Sequence, residues 1–367
     1  MENPPPQSLP DDIMIVEIFS KLPAKSLLQC RCVSKSWHGL ISKNKSLPPS
    51  MAGLFYRNNC SNKIEFISLG TRTYVDYTPI DTTLSFLPQC NNLNIADSCN
   101  GLLLLTAPDC LYVCNPATKK YATVPKPPTQ PMLLALGFDP RRSPHYEIVS
   151  FPQDELEDGE SAHIKKAESY NSSTGKWKWR DNRYWRLEHV CFARTGFAFL
   201  DGIIHTLDLE DGATFIMGEN VWDVVEDRPG VDIGIGLETQ FLGHSGQLMH
   251  QALIASGELF VWVAESRTET YGIRYRYVLK HRNSVRAIVD QLQPAGDPVL
   301  EDDDDQLRIL AFHSDFDVIF LRLQDKLLAY HLTCGQSEVI CDNFEGDRPC
   351  FAYSPCYSED LALETCM

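Results

Sequence analysis

Between Leu9 and Trp37 the chain reads LPDDIMIVEIFSKLPAKSLLQCRCVSKSW, more apolar residues than a unit of so few helical turns can bury alone. Projected at about 100° per residue, Met14, Ile15, Val16, Ile18, Phe19 and Leu22 cover an arc of roughly 200°, about twice the stripe a surface helix needs. Two faces of this helix must therefore be covered. Leu9-Pro10-Asp11-Asp12 supplies its start, a rigid prolyl ring followed by two carboxylates at the positive end of the dipole, and Pro23 ends it. A short helix with Leu27 and Leu28 comes next. A third then carries Val33, Trp37, Leu40 and Ile41 at i, i+4, i+7 and i+8. Some forty residues thus predict a small three-helix unit, too small to be comfortable in water by itself. It rests on the rest of the chain or it docks a partner.

The motifs Leu9-Pro10-Asp11-Asp12, Leu22-Pro23-Ala24-Lys25-Ser26-Leu27 and Cys30-Arg31-Cys32-Val33-Ser34-Lys35-Ser36-Trp37 closely resemble the F-box of plant F-box proteins. That resemblance implies docking to a Skp-type adaptor and, through it, to a cullin in a ubiquitin ligase. Carried over position by position, it implies adaptor contacts at Leu9, Pro10, Ile13, Ile18, Leu22, Pro23, Leu27, Cys32 and Val33, with Trp37 shared between adaptor and internal core. The domain division expected is a flexible N-terminus over 1–8, an F-box over 9–47 and a β domain over 52–367.

Of the residues, 43% are hydrophobic and 22% charged, as in an ordinary globular protein. No apolar run reaches about eighteen residues, and Met1-Glu2-Asn3-Pro4-Pro5-Pro6 has no signal-peptide pattern, so the cytoplasm or nucleus is expected. The 13 cysteines are odd in number and scattered, which favours free thiols over disulfides. No metal site is expected, because Cys334, Cys341, Cys350 and Cys356 lack paired two-residue spacing. Net charge is −16, and its distribution is uneven: residues 1–47 carry +2 and the remainder −18. The large part repels nucleic acid. The mildly basic start suits an acidic adaptor, as the resemblance implies.

From about Met51 the apolar period changes from 3.6 to 2. Short runs such as Gly101 to Thr106, Leu248 to Ala255 and Val318 to Leu323 alternate with the turn signals Asn100-Gly101, Asn115-Pro116, Thr174-Gly175, Asp201-Gly202, Ser256-Gly257 and Cys334-Gly335. This predicts a long series of antiparallel strands, with no further helix of convincing length. Cys114-Asn115-Pro116-Ala117-Thr118-Lys119-Lys120-Tyr121 and Tyr170-Asn171-Ser172-Ser173-Thr174-Gly175-Lys176-Trp177 align 56 residues apart, and Tyr330 to Gln336 is a looser copy. Each reads as the outer hairpin of a propeller blade. The 316 residues from Ala52 onward, at about 45 to 50 per kelch-like blade, predict six or seven blades; a pair of two-layer sandwiches is the rival fold. The segments Asp97 to Leu104, Gly137-Phe138-Asp139-Pro140, Phe199 to His205 and Phe351 to Pro355 resemble the F-box-associated region of plant kelch-like F-box proteins.

No catalytic constellation emerges. Gly234-Ile235-Gly236 lacks its third glycine, and His244-Ser245-Gly246 does not complete a nucleophile elbow. His205, His313 and His331 sit in strand patterns as structural residues, and Glu301 to Asp305 reads as a solvated loop. Trp177, Trp179 and Trp185 fit a recognition surface and a blade core equally. The function expected is that of a non-catalytic substrate receptor with no cofactor, no nucleic acid and no membrane, whose target protein is unknown. A propeller sensor or enzyme that keeps an F-box for its own turnover, and a scaffold outside any ligase, are the alternatives.

Overall fold

The structure is a computed structural model of the 367-residue chain and describes residues 10–19, 30, 33–43, 51–69, 80–88, 92–152, 166–181, 197–200, 202–207, 214–217, 222–225, 240–245, 248–269, 272–292, 307–346, 350–356, 358 and 361–365. Pro10 leads into α1 (Asp11–Ile13), which continues directly into a π-helical turn, Met14–Ile18. The Phe19 N–H reaches back to the Met14 carbonyl, the five-residue step of π winding. This corrects the uniform α-helical projection. At 100° per residue Met14 and Phe19 stand about 140° apart, whereas both are buried in the structure and share one core. The wider turn gathers onto one face residues that an α-helix would spread over two.

A second helix, α2 (Lys35–Lys43), starts behind Ser34, whose hydroxyl accepts the Trp37 N–H at 3.1 Å. Val33 was expected on this helix but lies in the turn ahead of that cap. Phe19 meets Trp37 edge-on, with ring centroids 5.2 Å apart, and Ile15, Ile18, Cys30 and Leu40 pack around them. The middle helix, with Leu22, Pro23 and Leu27, falls outside the described residues.

The β region is a propeller. Among the described residues, four consecutive antiparallel strands make each of five blades. The first holds β3 (Asn94–Cys99), β4 (Leu102–Thr106), β5 (Cys110–Asn115) and β6 (Lys120–Pro125). The second holds β7 (Pro131–Gly137), β8 (Glu147–Pro152), β9 (Lys166–Asn171) and β10 (Lys176–Asp181). The third holds β11 (Ala198–Leu200), β12 (Ile203–Leu207), β13 (Thr214–Met217) and β14 (Trp222–Val225). The fourth holds β15 (Gln240–Ser245), β16 (Leu248–Ala255), β17 (Glu258–Glu269) and β18 (Gly272–Ser284). The fifth holds β19 (Leu307–Phe312), β20 (Val318–Leu323), β21 (Lys326–His331) and β22 (Gln336–Cys341).

Early and late segments share a closing three-stranded sheet. In it β1 (Gly53–Arg57) pairs on one side with β2 (Ile64–Ser68) and on the other with β23 (Phe351–Tyr353), Gly53 standing opposite Tyr353. β24 (Glu364–Thr365) then adds to the outer edge of β6. The expectation of six or seven even, kelch-type blades is corrected by this arrangement. First strands begin at residues 94, 131, 198, 240 and 307, steps of 37, 67, 42 and 67 residues. Dividing length by an even repeat misjudges the count because the steps from the second and fourth blades to the next are 67 residues each, far from an even repeat.

Middle strands such as β4, β5, β8 and β20 are buried on both faces, which explains why their apolar runs are continuous rather than alternating. In β4, Leu102 and Leu104 pack toward the second blade while Leu103 and Leu105 pack toward the closing sheet, and all four are fully buried. β1 does the same, with Leu54 and Tyr56 in the core shared with the fifth blade and Phe55 against Tyr353. Polar straps join neighbouring blades near their inner strands. Ser98 Oγ donates to the Ala352 carbonyl at 3.0 Å, Asn100 Nδ2 to the Phe138 carbonyl at 2.6 Å and Ser245 Oγ to the Phe316 carbonyl at 3.0 Å.

The internal repeat is structural. In the hairpins β5–β6, β9–β10 and β21–β22, Asn115 stands opposite Lys120, Asn171 opposite Lys176 and His331 opposite Gln336. Each turn closes by a bond from residue i+4 back to the carbonyl of residue i, with Lys119, Gly175 and Gly335 at φ of 58°, 65° and 68°. A short helix that the sequence reading missed, α3 (Val285–Asp290), follows β18; Ser284 caps it, and Val285, Ile288 and Val289 are buried.

Candidate docking sites

The helical segment divides its apolar residues between an interior and an outside. Met14 and Phe19 form the buried pair; Ile18 and Trp37, expected at the adaptor, pack against them and are half-buried. Pro10, Ile13 and Val33 face out, Ile13 at 45% and Val33 at 64% exposure, which makes them two of the few large apolar side chains open to solvent among the described residues. Leu9, Leu22, Pro23, Leu27 and Cys32 lie outside the described residues. The sequence reading overlooked Ser34 as the cap that turns Val33 outward. Its signal was present, a serine directly ahead of an apolar-periodic run.

On the propeller, the tryptophans expected as a core or a recognition surface divide. Trp177 Nε1 donates to the Pro125 carbonyl at 2.9 Å and its ring packs on Tyr170, so it ties the second blade to the first. Trp179, two residues on, is 53% exposed; Trp185 lies outside the described residues. The histidines are structural in their surroundings: burial pushes His205, His250 and His313 each down to about 4. His313 Nδ1 accepts the Asp315 N–H at 3.0 Å, which requires the neutral ring, while His331 is exposed. Gly234-Ile235-Gly236 and Glu301 to Asp305 lie outside the described residues. Among the described residues no group of three or more His, Cys, Asp or Glu is placed to hold a metal ion, and no helix is long and apolar enough to cross a membrane.

A small helical segment with an exposed apolar edge is thus followed by a β-propeller. Residues 6–47 match the F-box-like family model. The Arabidopsis thaliana F-box protein At5g07610 is 30% identical over 188 residues, 46% of this chain and 44% of that protein. The Arabidopsis thaliana F-box protein At3g07870 is 32% identical over 130 residues, 33% of this chain and 31% of that protein. The chain is thus similar to plant F-box proteins over part of its length, and it spans less than half the length of these two curated relatives. Among solved structures, the Citrobacter koseri protein AztD aligns over 72% of this chain and 76% of its own, at 12% identity and a TM-score of 0.35.

Proposed function

We propose that this chain is the substrate-recognition subunit of a Skp-cullin-F-box ubiquitin ligase. The observation that carries this is the F-box match over residues 6–47, with Ile13 and Val33 presented as uncovered apolar side chains on that segment. The N-terminal segment clips to a Skp-type adaptor through Pro10, Ile13 and Val33, together with Leu9, Leu22, Pro23, Leu27 and Cys32, while Ile18 and Trp37 support them from the interior. The propeller holds a target protein, and the complex marks it for proteasomal degradation. Its contribution is proximity: a tethered target meets the charged conjugating enzyme at raised effective concentration, and the thioester chemistry belongs to other subunits. No catalytic residue in this chain is required, and its place of action is the cytoplasm or nucleus.

Pull-down of the full chain with a Skp-type adaptor, then with adaptor plus cullin, tests this. Recovery of both is expected. Recovery of the adaptor with cullin persistently absent would reduce the protein to a scaffold, and loss of both would remove the docking assignment.

A further inference from the structure

Between the first two blades lies a polar site that the docking segment does not use. In the second blade Ser150, Glu168 and Trp179 stand opposite one another across β8, β9 and β10, so their side chains project from one face of the sheet. Ser150 and Glu168 are fully buried. Glu168 Oε2 accepts only a long bond, 3.4 Å, from the Thr129 N–H, and Glu168 Oε1, Ser150 Oγ and Thr129 Oγ1 have no hydrogen-bond partner among the described residues. Buried carboxylates are held by donors or by cations, and leaving one bare is costly. Lys176 and Lys178 do not answer it, because strand alternation sends them to the opposite face of β10. Lys126 is turned to the Pro108 carbonyl.

The rim of this site suits a ligand. Exposed Pro125 and Pro128 and half-buried Thr129 border it on the connection from β6 to β7, and the half-exposed Trp179 ring borders it on β10. Prolyl and indole faces pack against a methylene stem, an indole face also attracts a cation, and a carboxylate flanked by hydroxyls takes the charged head. The charge of −18 on everything after residue 47 draws basic partners toward this part of the chain.

We infer that the site around Glu168, between the connection from β6 to β7 and β10, opens to take a cationic side chain, lysine or arginine, of the target protein, with Glu168 as its counter-charge. This rests on the receptor reading above and names a chemical feature of what the receptor selects.

The test is calorimetric titration of the full chain with N-acetyl-argininamide and N-acetyl-lysinamide, against N-acetyl-norleucinamide, which keeps the stem and lacks the charge. Saturable binding of a cationic probe and none of norleucine is expected. Glu168→Gln should weaken it roughly tenfold or more. Since Glu168 is buried, Trp179→Ala serves as the second variant, altering an exposed ring and weakening binding several-fold without unfolding the blade. A flat titration of the wild type with both cations, or equal binding by both variants and wild type, overturns the pocket. The adaptor pull-down is independent: retained adaptor and cullin binding with flat titrations leaves the receptor standing without this pocket, and the converse leaves the pocket without the receptor.

Discussion

Asp97 Oδ2 accepts the Leu136 N–H at 2.7 Å, so one buried carboxylate ties the innermost strand of the first blade to that of the second. Its other oxygen takes the Ser98 N–H, also at 2.7 Å. Burial pushes the carboxyl up to about 7, against the lowering pull of those two donors. In the unfolded chain an aspartate titrates near 3.9. Between about pH 4 and 7 the native state therefore binds the extra proton, and this group's contribution to stability falls as pH rises through that window. His205, His250 and His313 have the opposite sign. With folded values near 4 against about 6.5 unfolded, their contribution is intact above 6.5 and is lost as pH falls toward 4. The histidine and aspartate contributions therefore oppose one another between about pH 4 and 7. Asp97→Asn removes this opposing contribution, so the wild type's advantage in urea midpoint over this variant should widen from pH 8 to pH 5. A gap that stays constant with pH would contradict the assignment.

Two hairpins separate backbone conformation from packing. Asn100-Gly101 and Ser256-Gly257 both place their central pair at positive φ, 46° and 90° in the first, 52° and 74° in the second. A Cβ on Gly257 meets nothing within 4 Å, so Gly257→Ala costs the left-handed conformation alone, about 1 kcal/mol. On Gly101 it would lie 2.5 Å from Cys356 Cβ, 2.6 Å from its backbone nitrogen and 2.9 Å from the Ser354 carbonyl oxygen. Gly101→Ala should therefore cost roughly 2–4 kcal/mol. Chemical denaturation of the two variants side by side measures this, and equal losses would show that the late segment is not packed on this turn.

How far the sequence reveals this molecule differs between its parts. The propeller strands were legible from turn pairs such as Ser256-Gly257 and from the length of runs such as Leu102–Leu105, although double-sided burial erased the period within the run. Blade number was not legible, because blade starts are spaced unevenly, by 37, 67, 42 and 67 residues, and no local mark in the sequence announces the spacing. The N-terminal helical segment stood out through its Leu-Pro pairs, but the direction of each apolar side chain depended on a π-helical turn that no single residue announces. Glu168 was illegible for a simpler reason. Between Ala167 and Ser169 it looks like the solvent-facing half of a strand, and only the neighbouring blade makes it interior.

The repeated hairpin turn supplies a third test, since its two best copies do different amounts of work. Asn115 is fully buried, accepts the N–H groups of Ala117 and Thr118 at 2.9 and 3.3 Å, and donates through Nδ2 to the Cys356 carbonyl at 2.7 Å. Asn171 keeps the local part only, accepting from the Ser173 backbone and hydroxyl at 2.8 and 2.6 Å near the surface. Asn115→Ala strands buried partners and should cost about 2–3 kcal/mol, against about 1 kcal/mol or less for Asn171→Ala. Thermal unfolding ranks them; a reversed order would mean that the turn, rather than the strap to Cys356, carries the stability.

The docking assignment and the fold of its segment are separable by choice of residue. Val33, 64% exposed, and Ile13, 45% exposed, contribute little to their own unit, so Val33→Asp and Ile13→Asp should leave folding stability within about 0.5 kcal/mol of wild type. In an adaptor interface the same carboxylate would be desolvated without a partner, at a cost of several kcal/mol, which corresponds to at least a hundredfold loss of affinity. Phe19→Ala is the reverse case. It empties a fully buried position and removes the edge-on contact with Trp37, so the segment should loosen by about 3–5 kcal/mol and adaptor binding should fall as a consequence of that loss. Far-ultraviolet circular dichroism paired with adaptor titration distinguishes the two. If Val33→Asp and Ile13→Asp both bind the adaptor as tightly as wild type while remaining folded, the exposed edge is not the docking surface.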